Sequence, residues 1–309
     1  MQQNFTRDAL YFPEKLPVFN EHDDSWEFDG EATTLSFANA WWLCNLSHLA
    51  YYDEHDSLAI LHNMELTLEA FIDDRKEADG REKLIQDTQA YIISTDNAVI
   101  LTFRGTEPDR YQDMLAEAYL QPVKFPGKGK VHGGFFGALS GHSWERIVSI
   151  LSLPTLKSKP LWITGHSLGA ALATIAAAHL NPHGLYTFAS PRVGDSAFCA
   201  SLKTANSQRF VNCSDLVARL PLKDITDYRH IGTLQYFNAA GDWCEAPGAA
   251  FMRRDSLKAQ LLYPFNQLPI PFFTDKVAFR SLADHSILNY RYAIWKKLQK
   301  NRRLPLEKH

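Results

Sequence analysis

Three residues of this chain have the types and the order needed to cleave an acyl bond through a covalent intermediate: Ser167, Asp215 and His285. Ser167 is the centre of Gly165-His166-Ser167-Leu168-Gly169, a Gly-x-Ser-x-Gly pentapeptide. A serine hydroxyl is a poor nucleophile by itself, so it must be held exposed on a tight turn, within reach of a base and beside a helix N-terminus. Such chemistry on an α/β sheet delivers its groups in the chain order serine, then acid, then histidine. His285 would take the Ser167 proton and pass it to the leaving group. Asp215 would fix the imidazole tautomer and stabilise its cation.

Charge building on the carbonyl oxygen needs fixed donors. The N–H of Leu168, at the positive end of a helix, is one candidate. The second is the N–H of Thr106, with its hydroxyl as a further donor, because an apolar strand runs into Phe103-Arg104-Gly105-Thr106 and Gly105 permits close approach. His230 competes with His285 as base and Asp195 and Asp227 compete with Asp215, but none is placed as well at a strand end. Asp195 reads as the cap of a short helix, and His166 as a buried support of the serine turn.

Around Ser167 the required elements are legible. Leu161–Thr164 is a short apolar run, and the Ala-rich segment to Leu180 has high helix propensity, giving strand, sharp turn, helix. The stretch 161–180 lacks charge, as a membrane span would, but Gly165, His166, Ser167 and Gly169 interrupt it and Asn181-Pro182 ends it. A buried strand and helix account for the same hydropathy.

The other elements follow in order. Leu35–Tyr52 predicts a buried helix, and a charged helix is expected from Ser57 to Glu77. The runs AYIIST and AVILTF around Asp96-Asn97 predict a hairpin. Asp109–Gln121 carries an apolar stripe that suits either the core or a mobile lid. Val131-His132-Gly133-Gly134-Phe135 opens a helix to about Leu151. Strands are expected at Gly184–Ala189, Arg209–Cys213 and 228–237. In 250–280, Pro264, Pro269 and Pro271 predict an irregular, aromatic-rich excursion, a cap over a pocket or else an irregular piece of core, with the cap preferred. A last helix starts at Asp284. Strands alternating with helices indicate a mostly parallel central sheet covered on both faces, with working loops at the strands' carboxyl ends.

The series Phe103-Arg104-Gly105-Thr106-Glu107-Pro108, Val131-His132-Gly133-Gly134-Phe135, Gly165–Ala170, Thr187–Gly194 and Asp284-His285 resembles the motif series of the class 3 lipases, the fungal-lipase-like branch of α/β hydrolases. The resemblance covers roughly 35–290. It implies a serine carboxylic-ester hydrolase acting on acyl lipids such as acylglycerols or phospholipids, with a lid after the oxyanion strand. Carried over by position, nucleophile, acid and base fall on Ser167, Asp215 and His285, and the oxyanion donors on Thr106 and Leu168. The family's acid motif runs Asp-Pro-Val-Pro, whereas this chain has Asp215-Leu216-Val217-Ala218. The family's Asp-Trp lid pair is replaced by Tyr111-Gln112-Asp113. Acyl transfer or thioester cleavage on the same residues, and a silent lipid-binding protein that keeps the shell, are the rival readings.

The 309 residues, 45% apolar and 22% charged, suffice for one large domain. The expected organisation is a lead-in at 1–30, one α/β-hydrolase domain at 31–295 with a lid at 107–125 and a cap at 250–280, and a solvated basic tail at 296–309. A formal charge of -3 gives no pull toward nucleic acid. No cofactor is expected. Metal binding at His22-Asp23-Asp24 or Glu54-His55-Asp56 is disfavoured, because short acidic surface clusters are common and no partner ligands stand at helical spacing. The expected partner is an acyl-ester lipid, with transient contact at a lipid interface. Cys44, Cys199, Cys213 and Cys244 lack C-x-x-C spacing, and the N-terminal segment lacks a signal peptide's apolar core, so a cytoplasmic location is expected.

Overall fold

The computed structural model describes residues 26–74, 88–105, 121–127, 129–139, 141–222, 227–266 and 280–303. Their centre is an eight-stranded sheet: β1 (Thr67–Asp73), β2 (Gln89–Ser94), β3 (Val99–Phe103), β6 (Leu161–His166), β7 (Gly184–Phe188), β8 (Asn206–Asn212), β9 (Thr233–Phe237) and β10 (Trp243–Cys244), in that spatial order. Pairing is parallel from β3 through β9 and antiparallel at β1–β2, β2–β3 and β9–β10. A separate antiparallel pair joins β4 (Pro122–Lys124) and β5 (Lys130–His132). The fold is that of an α/β hydrolase.

Alternation along the strands divides the core in two. Ile93, Ile100, Trp162, Tyr186, Phe188, Phe210 and Phe237 point to one face, against α1 (Phe37–Leu49) and the C-terminal helix. Ile92, Leu101, Phe103, Ile163 and Leu185 point to the other face, against α3 (Gly133–Ala138), α4 (His142–Leu151) and α6 (Leu168–Leu180). Both faces are covered, so β6 and β7 are buried almost throughout, Thr164, His166 and Thr187 included, instead of alternating between buried and exposed positions. The run 161–180 is a strand followed by a helix. Among the described residues no helix is long and apolar enough to cross a membrane.

Several elements differ from expectation. The charged helix is shorter: α2 covers Glu54–Asn63, and Thr67–Asp73 forms the edge strand β1. Phe71 and Ile72 are buried in the strand and Leu68 and Ala70 partly so, and pairing with β2 covers them better than a solvent-facing helix would. Asp53 caps α2 by accepting the Asp56 N–H at 2.9 Å, which occupies the exposed acidic group Asp53, His55 and Asp56 in a helix-terminal role. Residues 75–87, with the expected helix end at Glu77, lie outside the described residues. The helix expected from Val131 to Leu151 is instead β5, α3 and α4, broken at Gly141, where φ is +89°. The short helix α5 (Pro154–Lys157) leads into β6, and α7 (Ser196–Ser201) is capped by Asp195. The strand expected at 228–237 is confined to β9.

The largest difference lies in 250–280. Residues Ala249–Asn266 form a regular helix, α8, because AAFMRRDSLKAQLL is free of breakers and Pro264 falls only in the last turn. Residues 267–279, with Pro269 and Pro271, lie outside the described residues. The chain resumes in α9 (Arg280–His285) and α10 (Ile287–Arg303). The last helix therefore runs into the expected tail: Lys296 approaches Asp242 at 3.1 Å, and the Lys297 ammonium sits 4.6 Å from the Trp243 ring centre. The lead-in is also packed at its end, with Trp26 edge-on to Trp41 and the Gly30 carbonyl accepting the Trp162 indole N–H. Residues 1–25 and 304–309 lie outside the described residues.

Ser167 turns the chain from β6 into α6, and two glycines make that turn fit. A Cβ on Gly165 would stand 2.4 Å from the Gly169 carbonyl carbon, and a Cβ on Gly169 would stand 2.3 Å from the Phe103 oxygen. These neighbours are backbone atoms of the central sheet and its helix, with no rotamer to yield. Gly169→Ala is accordingly expected to cost about 3 kcal/mol, read as a lower urea midpoint at unchanged slope.

Candidate active site

The carboxyl ends of β3, β6 and β8 meet at one edge of the sheet, and the predicted chemical groups are brought there. Ser167 has φ +59° and ψ -125°, a conformation L residues rarely adopt. It is held by its own N–H donating to the Phe188 carbonyl at 3.0 Å and by the tight crossing at Gly165 and Gly169. Leu168 opens α6, so its N–H is among those with no partner within the helix. The other oxyanion candidate, Thr106, lies outside the described residues, as does 107–120 of the expected lid. Gly105 is described, and a Cβ there would stand 3.2 Å from the Ser167 Cβ and 2.6 Å from the His166 oxygen. The end of β3 therefore runs directly beside Ser167, and only a glycine allows it.

Ser167, His285 and Asp215 form one hydrogen-bonded line. The Ser167 Oγ is 3.0 Å from His285 Nε2, and His285 Nδ1 is 2.9 Å from Asp215 Oδ1. Asp215 also accepts the Val217 N–H at 2.9 Å, the Ala218 N–H at 3.3 Å and the Tyr290 hydroxyl at 2.6 Å. A carboxylate surrounded by donors is an acceptor throughout, so the proton shared with the imidazole resides on His285 Nδ1. Nε2 is then the acceptor of the Ser167 hydroxyl. Ser167 and Asp215 have no solvent exposure and His285 only 2%. Burial pushes the Asp215 carboxyl up, opposed by the Tyr290 hydroxyl and the backbone N–H groups of Ala218 and Val217. Burial also holds the His285 imidazole below its usual range.

The Asp215 loop is held without a proline at 216 or 218. Asp215 caps a single 3-10 turn, Val217–Arg219, through its bonds to Val217 and Ala218. Asp284 Oδ2 accepts the Ser214 N–H at 2.8 Å, and the Asn212 side-chain amide donates to the Asp284 carbonyl at 2.9 Å. The residue before the base is thus tied to the residue before the acid. Arg280, 2.9 Å from Asp284, balances its charge on the same helix. Asp284 belongs to the Asp284-His285 motif, but its bond to Ser214 and that of Tyr290 to Asp215 have no sequence signal, because the partners lie 70 and 75 positions away.

His166 plays the supporting part expected of it. Its Nε2 is 2.7 Å from the His285 carbonyl, which can only accept, so that nitrogen carries the proton. Nδ1 then accepts the Tyr51 hydroxyl at 2.7 Å. Burial holds this imidazole down at about 4, against the pull of the His285 carbonyl. Its two neutral-state bonds fix the backbone of the base from behind. The competing residues stand elsewhere. Asp195 accepts from Phe198 and Lys130, Asp227 pairs with Arg229, and His230 lies near Arg209 and Arg192 with its imidazole lowered by burial and by those cations.

Comparison with known proteins bears on the same residues. A family model described as Lipase (class 3) matches residues 100–225. The secreted mono- and diacylglycerol lipase A of Penicillium cyclopium is 32% identical over an alignment of 195 residues that covers 58% of this chain and 59% of that protein. The lipase of Rhizomucor miehei is 32% identical over 154 residues, 45% and 42% of the two chains. Among solved structures, the Rhizomucor miehei triacylglyceride lipase has TM-score 0.53 at 25% identity, over 64% of this chain and 78% of that one. The mono- and diacylglycerol lipase from Aspergillus oryzae gives 0.54 at 24% identity, over 70% and 82%. The chain spans 59% or less of the length of the curated relatives named here. The family match runs from β3 through the serine turn to the Asp215 loop, on a fold shared with solved lipases, and over those residues the chain is similar to the class 3 lipases.

Proposed function

We propose that the protein is a serine carboxylic-ester hydrolase that cleaves acyl lipids, with acylglycerols the substrate class named for its relatives. The observation that supports this reading is the continuous line from Ser167 Oγ through His285 to Asp215, at 3.0 and 2.9 Å, inside a desolvated site. In the proposed reaction Ser167 Oγ attacks the ester carbonyl while its proton passes to His285 Nε2. Asp215 stabilises the imidazolium. The carbonyl oxygen, now an anion, receives the Leu168 N–H and the donor assigned to Thr106, the residue next after Gly105. Collapse breaks the bond to the alcohol oxygen, which leaves with the proton from His285. Water then repeats the sequence on the acyl-enzyme, releasing the fatty acid and restoring Ser167. No step calls for a metal or a cofactor. Acyl-chain choice is assigned to segments 107–125 and 250–280, whose described residues include 121–125 and the inward face of α8 at Met252, Ser256 and Ala259.

A fluorophosphonate probe tests the nucleophile. The expected result is one covalent adduct on Ser167, with labelling competed by a p-nitrophenyl ester. Failure to label under conditions that label a known serine esterase overturns the reading in favour of a silent lipid-binding protein. Release of the acyl group to an added alcohol or thiol in preference to water assigns the same residues to acyl transfer. On compartment, the four free thiols suit a reducing cytosol, whereas the Penicillium relative is named as secreted. Fractionation of the producing cells separates these two expectations.

A further inference from the structure

Helix α8 carries apolar side chains on the side where a helix packed against a core carries polar ones. With 3.6 residues per turn, Met252, Asp255, Ser256 and Ala259 form one stripe. That stripe faces inward: Ser256 and Ala259 are buried, Met252 packs beside Cys213 and Tyr236, and Asp255 accepts the Tyr236 hydroxyl at 2.8 Å. The opposite crest carries Leu257 and Leu261, 61% and 72% exposed. Arg253 flanks this crest on one side, and Arg254 and Lys258 flank it on the other. Phe251 and Leu262, 47% and 43% exposed, stand at its margin. Asp255 is the only acidic residue between Ala249 and Leu262, and it is turned to the core. The outer face is therefore apolar along its ridge, and every charged side chain flanking it is cationic, with the neutral Gln260 beside Arg253.

We infer that the outer face of α8 docks the protein on an anionic lipid surface, with Leu257 and Leu261 entering the boundary between headgroups and acyl chains. The three cations match anionic headgroups in sign and stand beside the inserting side chains, the arrangement that lets a short helix lie in an interface. A protein partner fits less well. Two adjacent leucines on a convex ridge fall short of the roughly 800 Å² per side that a stable protein interface needs, and they offer no groove. The position suits delivery of substrate. Ser256 accepts from Arg219 at 2.8 Å, at the end of the turn that Asp215 caps, and α8 lies against α9, which carries His285. The inference uses the proposed lipid substrate only to explain why docking is useful, and the docking itself is read without turnover.

The test is co-sedimentation of the full chain with phosphatidylcholine vesicles and with vesicles in which phosphatidylserine makes up about a third of the lipid. The wild type is expected to bind the anionic vesicles and to bind the neutral ones weakly. Leu257→Ser with Leu261→Ser is expected to weaken binding at least about tenfold. Arg253→Gln, Arg254→Gln and Lys258→Gln together are expected to cost about a hundredfold on anionic vesicles and to abolish the difference between the two compositions. Both variants should keep wild-type hydrolysis of soluble p-nitrophenyl acetate, because the crest touches neither the acid loop nor the base. No binding by the wild type, or unchanged binding by either variant, overturns the inference. A wild-type dimer in solution that the leucine variant dissolves, without vesicle binding, assigns the face to a second copy and overturns it as well. Absence of p-nitrophenyl acetate hydrolysis by the wild type bears on the proposed enzyme activity and leaves the docking result standing.

Discussion

Ser167→Ala is expected to lower turnover of p-nitrophenyl esters by roughly 10⁵-fold or more, the scale seen when a serine nucleophile is removed from a working triad. The backbone should be indifferent. Alanine carries the same Cβ as serine, so the strained φ of +59° is neither relieved nor worsened. The substitution takes away the hydroxyl that meets His285 Nε2 at 3.0 Å, and one lost buried hydrogen bond costs about 1 kcal/mol. Circular dichroism and the urea midpoint should therefore stay near wild type while the reaction disappears. The fluorophosphonate adduct should disappear with it. Turnover within tenfold of wild type would remove Ser167 from the mechanism, since nothing else in the line can form the acyl-enzyme.

The parts of this site legible in the sequence are those written into neighbouring residues. Gly165 and Gly169 announce a strand and a helix crossing too closely for a Cβ, and the Ala-rich run after them can only be a buried helix. Asp195 reads as a cap because its partner, the Phe198 N–H, is three residues away. Local signals misled where a weak preference met a tertiary alternative. TLEAFID has enough helix formers to extend α2, yet the open edge of β2 pairs with it instead. In 250–280 three prolines outweighed the breaker-free run before them, and the helix that carries Leu257 and Leu261 went unread. The supporting bonds of Tyr290, Asp284 and Tyr51 are not legible for a different reason. Each of these residues acts through a bond to a residue more than sixty positions distant, at Asp215, Ser214 and His166, and only the closed sheet brings those pairs together.

Asp215→Asn is expected to reduce kcat about 10⁴-fold with little change in KM, the loss associated with neutralising a triad acid while leaving its geometry intact. The asparagine fits. Its oxygen can take the place of Oδ1, accepting from Val217, Ala218 and His285, while its amide meets the Tyr290 oxygen in place of Oδ2. What disappears is the negative charge opposite the imidazolium that forms when Ser167 attacks. The pH profile carries the sign. The working form of His285 is the neutral imidazole, and burial holds its titration below the usual histidine value of about 6.5, so wild-type kcat/KM should be retained as pH falls past that value. Without the Asp215 anion the imidazolium is still less favourable, and the residual activity of the variant should persist to lower pH than that of the wild type. Burial opposes ionisation of Asp215, whereas the Tyr290 hydroxyl and two backbone N–H groups favour it. At rest burial prevails and raises the carboxyl to about 8, so the anion that the asparagine cannot supply is the one favoured by the imidazolium that forms beside it in turnover. A drop smaller than tenfold, with an unmoved acidic limb, would mean that Asp215 orients His285 without charge, and the assignment of a carboxylate to the triad would fail.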